Sequence, residues 1–201
     1  MSLKFANNNS LSAITSLPDS ISGGALTLIS TETASDSATV SFTSGIDSTY
    51  KEYIIKLINV HPETDNDELQ INFSADGGSN YNVTKTSSAF ISQHAENDSY
   101  TYFTYDAGSA SAQLTGDQTF HENIGGDNDE SCCSTIHLFD PSNTTFVKHF
   151  LITTNSSNGD PNNTVTRVGG YCNTTSAVDA VKFDFIGGNI QSGVIKLYGV
   201  S

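Results

Sequence analysis

The sequence predicts an all-β fold, an antiparallel two-sheet β-sandwich, and three observations predict it. Roughly ten short runs rich in Val, Ile, Thr, Tyr and Phe are divided by Gly, Pro, Asn, Asp and Ser about every 8–15 residues, the rhythm of a sandwich. None of the helical crossovers that a parallel βαβ sheet requires is visible between them. The 201 residues are 36% apolar and 15% charged, with 11 Phe and 8 Tyr as bulky core material and no Trp. A chain of this length can remove roughly 70% of its unfolded surface from water. One self-sufficient domain is therefore expected over residues 25–201, preceded by an arm at 1–24.

The arm spaces Leu3, Phe5, Leu11, Ile14, Leu17 and Ile21 widely and is broken by Pro18-Asp19 and Gly23-Gly24. It is expected to lie extended along a surface of its own domain or of a neighbouring subunit. Strands follow at Ala25–Ser30 and Ser37–Thr43. In the second, Ala38, Val40 and Phe42 alternate with Ser and Thr, the period-2 pattern of a half-buried strand. Tyr50–Pro62 is the strongest run: Tyr53, Ile55, Leu57 and Asn59 share one face, and Ile54, Lys56, Ile58 and Val60 the other. Both faces are largely apolar, which predicts a central strand covered on both sides; β-branching and Pro62 argue against a helix.

Leu69–Ala75 turns Leu69, Ile71 and Phe73 inward, and Asp76–Asn80 reads as a hairpin turn into a strand at Tyr81–Lys85. Ser88–His94 reads as a short strand or one helical turn, and Ser99–Tyr105 as a tyrosine-rich strand at a boundary. Ala107–Leu114 is loop or a weak helical turn, and Gln118–Ile124 is a weak strand. Ser134–Phe139 runs into a type I turn at Asp140-Pro141. Thr145–Thr153, Val165–Tyr171, Ala177–Ile186 and Val194–Val200 complete the set.

The net charge of −14, with a pI near 4.3, repels phosphate backbones and anionic lipid heads. No nucleic acid and no membrane are expected as partners, and the acidity reads as a solubility device. The N-terminal residues lack the apolar core of a secretory signal, and no run approaches the length of a membrane span. The three cysteines, Cys132, Cys133 and Cys172, read as small buried or half-buried side chains; a Cys133–Cys172 bridge stays open if their strands neighbour.

Two acidic loops are the metal candidates, Asp65-Asn66-Asp67-Glu68 and Asp127-Asn128-Asp129-Glu130. Asp65, Asp67, Asp127, Asp129 and Glu130 offer the hard oxygens that calcium takes, the more so if both loops meet at one end of the sandwich. Neither loop has EF-hand spacing, so solvated turn residues are the plainer reading. Among the histidines, His137 and His149 sit on consecutive strands and are candidate cross-strand neighbours, but two His without an HExxH pattern do not make a zinc site. There is no G-x-S-x-G elbow, Walker A loop or dinucleotide fingerprint. A non-enzymatic protein without a cofactor is expected.

Four stretches, MSLKFANNNSLSAITSLPDSISGGALTLIS, SGIDSTYKEYIIKLINVHP, HLFDPSNTTFVKHF and GGNIQSGVIKLYGV, resemble a group of small virion proteins of tailed bacteriophages that infect marine bacteria. The resemblance touches both ends and the middle, leaving residues 76–132 and Ser156–Asn163 aside. It implies a jelly-roll-like sandwich without enzymatic residues, assembled in the host cytoplasm into the virion as a symmetric oligomer, a trimer above all, beside other virion proteins. The expected role is a capsid decoration or a tail or fibre component. The alternative is a receptor-binding or carbohydrate-recognition module that meets host-surface glycan with its loops.

Overall fold

A computed structural model describes residues 25–159 and 161–201, and the arm expected at 1–24 lies outside the described residues. Within them are twelve strands and no helix: β1 (Leu26–Ser37), β2 (Val40–Phe42), β3 (Glu52–Pro62), β4 (Asp67–Ser74), β5 (Lys85–Ala95), β6 (Thr101–Tyr105), β7 (Gln118–Ile124), β8 (Cys132–Phe139), β9 (Lys148–Ser157), β10 (Asn162–Cys172), β11 (Ala180–Phe185) and β12 (Ile190–Val200). They form an eight-stranded sheet, β1-β12-β3-β8-β9-β10-β5-β6, and a four-stranded sheet, β2-β11-β4-β7. Every pairing is antiparallel. The two-sheet, all-β architecture read from the sequence is the one that forms.

The chain changes sheet repeatedly. β1, β3, β8 and β12 belong to the large sheet, while β2, β4, β7 and β11 build the small one. Two hairpins, β5–β6 and β9–β10, add four strands to the large sheet, and β7 of the small sheet packs on β9 and β10 through His121. Changing sheets splits the expected Ser37–Thr43 strand. Ser37 ends β1, the chain bends at Ala38-Thr39, and Val40 opens β2 in the other sheet. Val40 and Phe42 are buried as expected, but Ala38 is exposed. The turn at Asp76–Asn80 forms too, its Asp76 carboxylate accepting from the Asn80 N–H and Nδ2. It does not close a hairpin, because β4 lies in the small sheet and β5 in the large one, and 81–84 is loop rather than strand.

The core is the space between the inner faces. Tyr53, Ile55 and Leu57 of β3, Ile136 and Leu138 of β8, and Ile195 and Leu197 of β12 project into it from the large sheet, each 1% exposed or less. Leu69, Ile71 and Phe73 of β4 and Val181 and Phe183 of β11 meet them from the small sheet, all at 0%. Removing each such side chain from water contributes about 1.5–3 kcal/mol. Tyr53 is the one polar member of the β3 row, and its hydroxyl is satisfied by the Asp47 backbone and carboxylate at 3.0 Å.

The sequence alternation along β3 fails at its far end, and a bulge is the reason. Pairing with β8 shifts between Leu57 and Val60, and pairing with β12 shifts on either side of Ser192. Asn59 takes a positive φ of 49° and turns outward, which moves Val60 to the core side at 0% exposure. Opposite it, Gly193 has φ 143°, and a Cβ there would come within 2.9 Å of Val60. Glycine is required by both the angle and the contact. The outer face of β3 is also less covered than expected: Ile54 and Lys56 are half-buried, Ile58 is exposed, and no described strand lies over them.

Ile55→Asp would place a carboxylate in the core without a partner and is expected to cost more than about 4 kcal/mol, abolishing cooperative folding. Ile54→Asp, one residue away on the outer face, should leave the urea unfolding free energy within about 1 kcal/mol of the parent. Equal damage from both would contradict this assignment of faces.

Candidate functional site

The two acidic loops do meet. Asp65, after β3, accepts from the Gly126 N–H at 3.0 Å, joining the β3–β4 loop to the β7–β8 loop at one end of the sandwich. The carboxylates, however, point at backbone amides. Asp65 also accepts from Asn66 N and Nδ2, Asp67 Oδ1 accepts from Glu68 N at 2.7 Å and Gly187 N at 2.8 Å, and Glu130 Oε2 accepts from Asp127 N at 2.8 Å. Asp129 and Glu130 instead border a polar cleft with Asn59, His61 and Gln191. Among the described residues no three His, Cys, Asp or Glu side chains converge as metal ligands. Asp65, Asp67 and Glu130 are turn caps, while the Asp127 and Asp129 carboxylates cap no described amide.

The cysteines and histidines are likewise apart. Cys133 faces outward, hydrogen-bonded with Asn59, while Cys172 is buried on the opposite face of β10, and β9 lies between their strands. All three cysteines are free, and a Cys133–Cys172 bridge is ruled out by that separation. His137 stands opposite Leu151 rather than His149, and pairs with Glu52 at 2.6 Å.

One nucleophile–base contact was not foreseen. His121 Nε2 lies 2.6 Å from Ser156 Oγ, and Nδ1 lies 2.8 Å from Thr166 Oγ1. Ser156 donates its proton to Asn158 Oδ1 at 3.0 Å, so Nε2 is the donor in the His121–Ser156 bond. That polarity is opposite to an activated serine, whose proton must point at the imidazole. His121 is 0% exposed and Ser156 2%, and burial drives the His121 pKa from 6.5 to about 4, so the ring is neutral. It serves to satisfy the Ser and Thr side chains that β9 and β10 turn inward. Nothing in sequence brings residues 121, 156 and 166 together; only strand register does.

The outer face of the large sheet is the surface best suited to an interaction. One row crosses all eight strands: Tyr105, Phe90, Arg167, Thr153, Thr135, Lys56, Lys196 and Thr31. The next runs Ser88, Gly169, Leu151, His137, Ile54, Tyr198 and Leu28. Seven strand gaps make a face roughly 34 Å wide. No carboxylate lies in either row, on a chain of net charge −14. Arg167, Lys56 and Lys196 form no salt bridge with a described residue, and Lys56 reaches the Tyr198 ring at 5.9 Å.

Aromatic side chains concentrate at the β6 edge of this face. Phe90 stacks on Phe103 with centroids 6.1 Å apart and meets Tyr105 edge-on at 5.9 Å. Phe103 is 74% exposed, Tyr105 52%, and Leu151, farther along the face, also 52%. Clustered exposure of this kind marks an interaction surface, whereas isolated exposed apolar residues do not. The tyrosines of Ser99–Tyr105 signal a boundary strand in the sequence; Arg167, Lys56 and Lys196, distant in the chain, carry no such signal. No family model, curated protein or solved structure matches the chain.

The neutral His121 has a consequence for acid stability. Its folded pKa lies below its unfolded value, so the unfolded chain binds the proton first, and stability is lost as pH falls from 6.5 towards about 4. The loss should reach roughly 3 kcal/mol. The Glu122 carboxyl is also raised, by burial and by the nearby Asp106 and Glu68, so the effect is read by difference: urea unfolding of the parent should fall more steeply over this window than that of His121→Gln.

Proposed function

We propose that this protein is a non-enzymatic structural component of a tailed-bacteriophage virion, a capsid decoration or a tail or fibre part, and that it is a jelly roll assembling as a homotrimer. The observation that carries the assembly is the pair of rows without carboxylates on the outer face of the large sheet, with the exposed aromatic edge and the cations that form no salt bridge with a described residue. The resemblance of the four sequence stretches to marine phage virion proteins supports the location.

The jelly-roll reading rests on strand order. With the two added hairpins set aside, β1-β12-β3-β8 faces β2-β11-β4-β7, eight strands passing between two four-stranded layers as a jelly roll requires. The trimer reading rests on charge. An isologous contact through this face would set Arg167, Lys56 and Lys196 against themselves, which is unfavourable. A cyclic, heterologous contact lets the same cations face acidic loops of the next subunit and closes as a ring. The non-enzymatic reading is supported by the sealed, reversed Ser156–His121 contact.

Light scattering of the full chain on a sizing column should give three times the 21.4 kDa chain mass, weakening as salt rises. Phe90→Asp and Leu151→Glu should release monomers with the parent's circular dichroism. A parent that is monomeric at low salt would remove the trimer. Immunogold labelling of purified particles tests the virion assignment, and particles that lack the chain would sink it.

A second reading, recognition of host-surface glycan, is favoured by the β6 edge, where Tyr100, Tyr102, Phe103 and Tyr105 are 43–74% exposed. Phe103→Ala should then abolish binding on a glycan array while leaving the oligomer mass unchanged; an array without signal for the parent counts against it.

A further inference from the structure

Beneath the loop of residues 75–84, a lysine and an asparagine are held in contact away from water. Lys85, at the start of β5, is 0% exposed, and Asn72 of β4 is 1% exposed. Lys85 Nζ donates to Asn72 Oδ1 at 2.6 Å, to Gly116 O at 2.9 Å and to Val83 O at 3.1 Å, and it has no carboxylate at salt-bridge distance among the described residues. The Asn72 carbonyl also accepts from the Phe73 N–H at 2.9 Å. Its Nδ2 donates to Tyr81 O at 2.7 Å, Asp117 Oδ1 at 3.0 Å and Thr115 O at 3.3 Å. This pattern fixes the amide orientation, since Nζ has only protons to offer and the carboxylate only lone pairs.

We infer that Lys85 and Asn72 are the precursors of an intramolecular isopeptide bond, formed with the help of Asp117. The parts have the positions this amide exchange needs: a desolvated amine against the carboxamide, a backbone N–H on the oxygen where negative charge develops, and a carboxylate on the leaving nitrogen. The neutral Nζ attacks Asn72 Cγ, and the carbonyl electron pair moves to Oδ1, held by Phe73 N–H. The proton shed by Nζ passes through the Asp117 carboxylate to Nδ2. Collapse of the adduct breaks the Cγ–Nδ2 bond and releases ammonia. Amine and carboxamide become a secondary amide and ammonia, with no oxidant or other reactant required.

Burial also supplies the neutral amine. It lowers the Lys85 pKa from 10.5 to about 8, with the Lys182 charge acting in the same direction, the Asp117 charge against it, and the Cys172 thiol beside them. These groups face Lys85 from β11, from the segment before β7 and from β10. Cys172, its thiol pushed up to about 12 by burial, stays neutral. Lys182 bridges Asp117 at 3.0 Å and Asp184 at 2.9 Å, which holds the Asp117 carboxylate beside Asn72. The product would tie the small sheet to the large one between positions 72 and 85, independently of any assembly through the outer face.

Intact-mass spectrometry of the denatured full chain is the test, before and after incubation at about pH 9, where Lys85 is mostly neutral. The parent should be lighter than its sequence by one ammonia, and a digest should contain one branched peptide joining Lys85 to Asn72. Asp117→Ala, which keeps both partners, should retain the full mass, as should Lys85→Arg and Asn72→Ala. A parent of unshifted mass after the alkaline incubation overturns the proposal whether or not the variants fold. So does an ammonia loss that maps to ring closure at Asn158-Gly159 with Lys85 free.

Discussion

Apolar contact between the two inner sheet faces is what the rest of the structure depends on. The β3 row of Tyr53, Ile55 and Leu57 can leave water only because β4 and β11 present Leu69, Ile71, Phe73, Val181 and Phe183 opposite. Each change of sheet along the chain exists to make that closure, and the loops carry the cost of the corners. They meet it with side-chain caps: Asp76 on Asn80, Asp65 on Gly126, Asp67 on Gly187. An acidic, Asn- and Ser-rich sequence thereby supplies short acceptors for backbone amides at turns, and Asp65, Asp67 and Glu130 of the acidic loops are used so.

The few cations are distributed against intuition. Of eight Lys and Arg residues, Lys85 and Lys148 are fully buried with their ammonium groups bonded to carbonyls. Arg167, Lys56 and Lys196 line up across the outer face. Burying an ammonium without a counter-ion is costly unless its hydrogen bonds are complete or its proton is lost, and Lys85 is placed where either can happen. The outer row follows a different logic, because a row without carboxylates on an acidic molecule attracts the rest of a second copy.

Much of the fold was legible. The Leu69–Ala75 inward face, the interior half of β3 and the last strand follow from period-2 burial, which depends on neighbours two residues apart, and the turn at Asp140-Pro141 from local turn chemistry. Legibility ended where non-local geometry took over. Alternation alone turns Asn59 inward, whereas the bulge that turns it outward is made jointly with Gly193, 134 positions away. A hairpin is expected at Asp76–Asn80 because a turn does not say which sheet receives the next strand. Gln118–Ile124, weak as a pattern, is a strand whose His121 and Gln118 Nε2 find partners on the large sheet and its loops.

What the sequence by itself determined is the class: β-branched runs at even spacing, turn residues between them and no helical crossover pattern admit an antiparallel sandwich and little else. Local steric and hydrophobic preferences act over a few residues, so they are written locally. Tertiary structure alone decided which residues share a face or a buried pocket. The row from Tyr105 to Thr31 draws on eight strands, and the contact of Lys85, Asn72 and Asp117 joins two strands of different sheets and a loop. Such groupings are set by register and sheet order, which arise only when the whole chain closes on its core.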